Sequence, residues 1–139
     1  MPEPTTQHSA PAPPVPLPAQ LSRLIMSVWV PAAISAAATL GLPDHIGEGQ
    51  RRSDEVARAA GANPDAVRRL LRALVVLDLC TEPEDGVFQL TPMGRYLRSD
   101  VPDSVRNWAL LWGRGPIWQG WGKLAEAVRT GQTAPMLLS

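Results

Sequence analysis

Residues 53–91, SDEVARAAGANPDAVRRLLRALVVLDLCTEPEDGVFQLT, decide the fold. Ser53 reads as an N-cap, with Asp54 and Glu55 set against the positive end of a helix dipole, and Gly61 stops that helix. Asn63 caps the next, and Pro64 takes its first position, where a missing N–H costs nothing. Val67, Leu70, Leu71, Leu74 and Val75 repeat at helical spacing and form one apolar stripe; Asp65 can pair with Arg69 one turn on. Two short β-capable runs then flank Asp85-Gly86, a dipeptide suited to a two-residue hairpin turn. Thr91-Pro92 caps a short helix through Leu97. Helix, turn, helix and hairpin, in that order, predict a mainly α, winged-helix-like domain with one small β-hairpin.

A winged helix raises the possibility of a DNA-binding regulator, with Arg68, Arg69 and Arg72 on the helix that would enter the groove. Three features oppose it. The wing TEPEDG (81–86) is acidic and repels phosphate, the helix lacks the Asn, Gln and Ser residues that read base edges, and 13 basic residues balance 13 acidic ones. Arginines on a solvated face are the better reading, and nucleic acid is not expected as a partner.

Upstream, residues 1–19 are crowded with proline and nearly free of charge, which predicts an extended, disordered arm. Leu21, Leu24, Ile25, Val28 and Trp29 then form a helical stripe, and Pro31 kinks the chain or opens a second helix that Gly41 terminates. This second helix is apolar on every side and rich in alanine, so other helices should enclose it. One of them can belong to a second copy, which nominates Leu24, Ile25, Val28, Ile34, Ala37 and Ala38 as dimer-interface residues and Ala37→Glu as a disruptive substitution. Residues 24–43 carry no charge and are long enough to span a bilayer. Alanine dominance, hydroxyl side chains and Pro31 argue for a buried helix pair instead, so no membrane role is expected. Residues 42–51 read as a loop. The single cysteine, Cys80, excludes an internal disulfide, and the isolated His8 and His45 suit surface or cap roles better than metal ligation.

Downstream lie four of the five tryptophans. SVRNWALLW (104–112) puts Val105, Trp108, Leu111 and Trp112 on one helical face. GPIWQGWGKLAEAVRTG (115–131) does the same for Ile117, Trp118, Trp121, Leu124, Ala125 and Val128. Core packing explains any one of these residues; together they exceed what a small winged helix can cover, which points to an interface or a ligand pocket.

VWVPAAISAAATLGLPDHI (28–46), DEVARAAGANPDAVRRLLRALVVLDL (54–79), FQLTPMGRYLRSD (88–100) and LAEAVRTGQTA (124–134) together resemble the N-terminal dimerisation region of small-molecule O-methyltransferases, closest to bacterial enzymes that modify polyketides and other natural products. The resemblance covers residues 20–134, leaving 135–139 as a tail. It implies an interleaved homodimer, a cytoplasmic location, and a following Rossmann-like domain that holds S-adenosylmethionine and the catalytic histidine. No G-x-G-x-x-G occurs in the 139 residues, and His45 sits in an early segment, so this chain by itself is expected to bind no cofactor, to supply no catalytic residue and not to act as a methyltransferase. A separate catalytic subunit is one conceivable partner. By position, the resemblance nominates Met26, Trp29, Trp108, Trp112 and Trp118 as pocket residues for an aromatic small molecule. The alternative in the same lineage is a stand-alone aromatic-ligand-binding or auxiliary biosynthetic protein.

Overall fold

The computed structural model describes residues 10–133; residues 1–9 of the proline-rich arm, His8 among them, and the 135–139 tail lie outside them. Helix α1 spans Leu17–Met26, so regular structure begins inside the expected arm. Helix α2 follows at Trp29–Thr39. Pro31 accounts for the break between them: it has no N–H to bond the Ser27 carbonyl, and its ring would clash there. Val30 N–H donates to that carbonyl instead, and the Ser27 hydroxyl turns back to the Leu24 carbonyl. The stretch Leu17–Thr39 has the length and apolar composition of a membrane span, but this turn divides it, and Ser35, Ala37 and Ala38 of its second half are buried in the core.

The expected loop at 42–51 contains two elements, a short helix α3 (Leu42–Ile46) and a two-residue strand β1 (Arg51–Arg52). Buried Leu42 and Ile46 draw α3 onto the core. Helix α4 (Ser53–Ala60) and helix α5 (Pro64–Val76) form the winged-helix pair. Asn63 caps α5 as expected, its Oδ1 accepting from the Ala66 N–H. Ser53 is not a cap. It is the first residue of α4, its side chain is buried, and its N–H donates to the Gly86 carbonyl at the hairpin turn; Asp54 Oδ1 serves the first turn by accepting from the Glu55 N–H.

Strands β2 (Cys80–Glu84) and β3 (Val87–Leu90) form the wing around Asp85-Gly86. Gly86 has φ +78°, the left-handed geometry that a tight hairpin turn demands. The antiparallel sheet runs β1-β3-β2, with Arg51 opposite Phe88 and Cys80 opposite Leu90. Its register slips between Thr81 and Glu84, around Pro83, which has no N–H to offer the ladder. The helix after Thr91 is 3-10 (Gly94–Leu97) with Met93 at its N-cap, and Thr91 Oγ1 accepts from the Gly94 N–H in the turn that leads into it. Helices α6 (Arg106–Trp112), α7 (Gly115–Gly122) and α8 (Leu124–Thr130) complete the described chain; the last two replace the single helix expected there.

The core gathers Leu42, Val56, Val67, Leu71, Leu74, Cys80 and Phe88, all essentially inaccessible. The expected α5 stripe divides, with Val67, Leu71 and Leu74 fully inside and Leu70 and Val75 packed at the edge. Gly94 sits so close to the Leu79 carbonyl that any Cβ would collide with that backbone. Gly94→Ala should therefore cost about 1–3 kcal/mol by overpacking, lowering Tm by several degrees in a thermal melt followed by circular dichroism. An unchanged Tm would contradict the close approach.

Candidate functional site

α1 buries none of its ten residues. Leu17, Leu21, Leu24, Ile25 and Met26, with Val28 and Trp29 beyond the turn, keep 37–77 % of their surface exposed. Their amphipathic order predicts a covered face, yet nothing among the described residues covers it. The α2 candidates behave differently. Ile34 is half-buried at the core edge, and Ala37 and Ala38 are wholly enclosed by their own chain. These two alanines are therefore core residues rather than interface residues. A glutamate at 37 would strike the fold before it reached any dimer contact.

α6 lies against α2. Its buried residue is Ala109, not one of the tryptophans, while Trp108 stays 66 % exposed and Trp112 is half-buried. Gly113 meets Ser35 of α2 so closely that a Cβ would strike the Ser35 hydroxyl. Beyond this contact, Trp112 and Trp121 stack with ring centroids 5.7 Å apart and planes 17° from parallel. Trp118 closes one side of an open cleft of about 440 Å³ whose other walls include Ala32, Ser35, Ala36 and Thr39 of α2 and Leu40 just beyond its end. Of the five nominated pocket residues, this cleft takes only Trp118. Trp112 pairs with Trp121, and Met26, Trp29 and Trp108 do not line it. Ser35 and Thr39 supply the cleft's hydroxyl groups and were not singled out by sequence. Their helix is apolar all round, so periodicity could not say which side would be left open.

Charge is arranged to hold the wing. Arg68 of α5 bonds Asp85 at 2.6 Å, and Arg72 reaches Glu82 at 3.2 Å and Asp85 at 3.0 Å. The expected Asp65–Arg69 pair is not among the ion pairs of the described residues; the hairpin carboxylates draw the neighbouring arginines instead. The Arg68 hydrogen bond, aided by its charge and that of Arg72, lowers the pKa of Asp85. Two of the three arginines that would approach a phosphate backbone are thus already engaged in cis. A second clasp centres on Arg98, whose side chain is 9 % exposed and bonds Glu48 at 3.1 Å and Asp100 at 2.7 Å. Next to it, Ser99 donates through both its N–H and its hydroxyl to Asp44. Burial pushes the Cys80 thiol up to about 12, which makes it unreactive. No group of three or more His, Cys, Asp or Glu side chains suited to a metal occurs among the described residues.

The described residues contain no parallel strand leading through a glycine-rich turn into a helix. That arrangement is the usual seat of S-adenosylmethionine; here the sheet is small and antiparallel. Gly113 and Gly115 instead sit at the α6–α7 junction.

Residues 22–100 match the family model of the O-methyltransferase dimerisation domain. The chain is 42 % identical over 115 residues to 2,7-dihydroxy-5-methyl-1-naphthoate 7-O-methyltransferase of Streptomyces carzinostaticus, covering 81 % of this chain and 34 % of the relative. It is 34 % identical over 120 residues to phenazine O-methyltransferase PhzM of Lysobacter antibioticus, covering 86 % and 35 %. The crystal structure of LaPhzM superposes with a TM-score of 0.81 at 34 % identity, over 86 % of this chain and 36 % of that one. The chain thus spans about a third of the length of the curated relatives it matches. With more than half of its sequence matched in order and its fold superposing on the same region, the chain belongs to the O-methyltransferase dimerisation domain family.

Proposed function

We propose that the chain is the dimerisation and substrate-pocket module of an O-methyltransferase acting on aromatic natural products, working in the cytoplasm as a homodimer. The observation that carries dimerisation is the uncovered face of α1 and the start of α2. Seven large apolar side chains lie exposed along 13 residues, on the order of 800 Å² in all, which is about one partner's share of a standard interface. Water contact over such a face is costly, and a second copy removes it from both chains at once. Sedimentation equilibrium at micromolar concentration tests this. The wild-type chain should be a dimer, and Ile25→Glu should give a folded monomer, because Ile25 contributes nothing to its own core. Ala37→Glu should instead unfold the chain or sharply lower its Tm. A monomeric wild type would overturn the proposal.

The pocket role is supported by the cleft between α2 and Trp118. An indole face opposite a wall of alanines suits a flat ring, and Ser35 and Thr39 provide hydroxyl partners at its edge. Two relatives bear the names of a naphthoate and a phenazine O-methyltransferase, ring systems of that shape. Titration with a hydroxynaphthoate or a phenazine should quench tryptophan emission, and Trp118→Ala should abolish most of that quenching while leaving the dimer intact. Equal quenching by wild type and Trp118→Ala would remove the cleft from consideration. Methyl transfer is assigned to the catalytic domain of the family, not to these helices. Calorimetry of the chain with S-adenosylmethionine should register no binding, and a stoichiometric heat would overturn that assignment.

A further inference from the structure

α1 is thinly supported by its own chain. It has ten residues, none of them buried, and it packs closely on no other described element. The shorter α3 and α4 are held because Leu42, Ile46, Val56 and Ala57 sink into the core. α7 and α8 bury no residue either, but they pack on each other and, through α7, on α6. The start of α1 has no side-chain cap and no acidic residue in its first turn. Its side-chain bonds are local: the Ser22 hydroxyl donates to the Pro18 carbonyl, and the Gln20 amide to the Val15 carbonyl. Isolated helices below about 12–15 residues are marginal in water. The turn at Ser27 separates α1 from α2, so the enclosed half of α2 cannot propagate helix into it.

We infer that α1 is a conditional helix: it melts in the dilute single chain and is held in helical form when a second copy covers its apolar face. The inference rests on the dimer reading above and adds how that dimer is controlled, since assembly then includes a folding step. Leu17, Leu21, Leu24 and Ile25 gather on one side only while the segment is helical, so the face and the helix form together. The winged-helix core takes no buried residue from α1 and stays folded without it. When only a fraction of the α1 segments is helical, the observed dissociation constant is raised by that fraction once for each chain. Affinity then responds to helix propensity even on the side of α1 that touches nothing. In a helix already formed in the single chain, propensity would favour monomer and dimer alike and cancel from the affinity.

Arg23 separates the two cases. It is exposed and, at about 100° per residue, lies on the side of α1 away from Leu17, Leu21, Leu24 and Ile25. Arg23→Ala and Arg23→Gly remove the same charge and differ in helix propensity, by about fivefold in the helix equilibrium. Counted once per chain, this makes dimerisation of Arg23→Gly about 25-fold weaker than that of Arg23→Ala in sedimentation equilibrium. Hydrogen exchange locates the effect. In the monomer, reached with Ile25→Glu or by dilution, amides 20–26 should exchange like those of an unstructured peptide while the amides of α5 stay protected. Glutamate favours helix more than isoleucine does, so that loss of protection reports the missing cover. A wild-type dimer with equal affinities for the two Arg23 variants, or with protected α1 amides in the monomer, overturns the conditional helix and leaves dimerisation standing. A wild type that stays monomeric overturns the dimer reading and this inference with it.

Discussion

Small residues on α2 let three parts of the chain meet. Ala37 and Ala38 carry so little side chain that the core elements and α6 can close on this helix, with both alanines fully enclosed. Ala109 of α6 is its matching small buried residue, and Gly113 reaches Ser35 at the end of the contact. A larger side chain at any of these points would push α6 away. The aromatic tail would then lose its fixed relation to the winged-helix core. The Trp118 cleft depends on that relation because α2 provides its opposite wall.

The electrostatics serve the same end. A winged helix offers a basic helix beside a projecting hairpin, the geometry used to grip nucleic acid. Here the hairpin's own carboxylates bind Arg68 and Arg72. These pairs are exposed, so each contributes little to stability. Their effect is to hold the wing against α5 and to cancel the local positive field. The Arg98 clasp acts on the other side by joining Glu48, before β1, to the segment after the 3-10 helix. That segment carries Asp103, which lines an apolar depression beside the 3-10 helix. Helical scaffold, wing and this segment are thus held together by separate local devices, while α1 has no cover among the described residues.

The order of elements was legible in the sequence because local chemistry determines it. Asn63-Pro64 starts α5, Gly61 ends α4, Asp85-Gly86 turns the hairpin and Thr91 holds the turn into the next helix, each through groups a few residues apart. The apolar stripes of α1 and α5 followed from periodicity alone. The family resemblance was legible on other grounds, the order of several short motifs along the chain. β1 was not legible: two arginines carry no strand pattern, and Arg51–Arg52 is a strand only because β3 lies beside it. Ser53 likewise has an N-cap's composition, but the Gly86 carbonyl takes its N–H and the core buries its side chain.

For the candidate site, sequence determined that the chain carries more apolar and aromatic surface than one small domain needs, placed at its two ends. Tertiary structure decided which of that surface is free. Ala37 and Leu24 sit in the same uncharged run, yet one is core and the other is exposed. Trp108 and Trp112 share a helical face, yet one points into water and the other stacks on Trp121. The reason is physical: periodicity tells which residues share a side of one helix, whereas exposure depends on which other helix lies against that side. That choice rests on contacts between residues far apart in sequence, such as Ser35 with Gly113, and no local pattern encodes them.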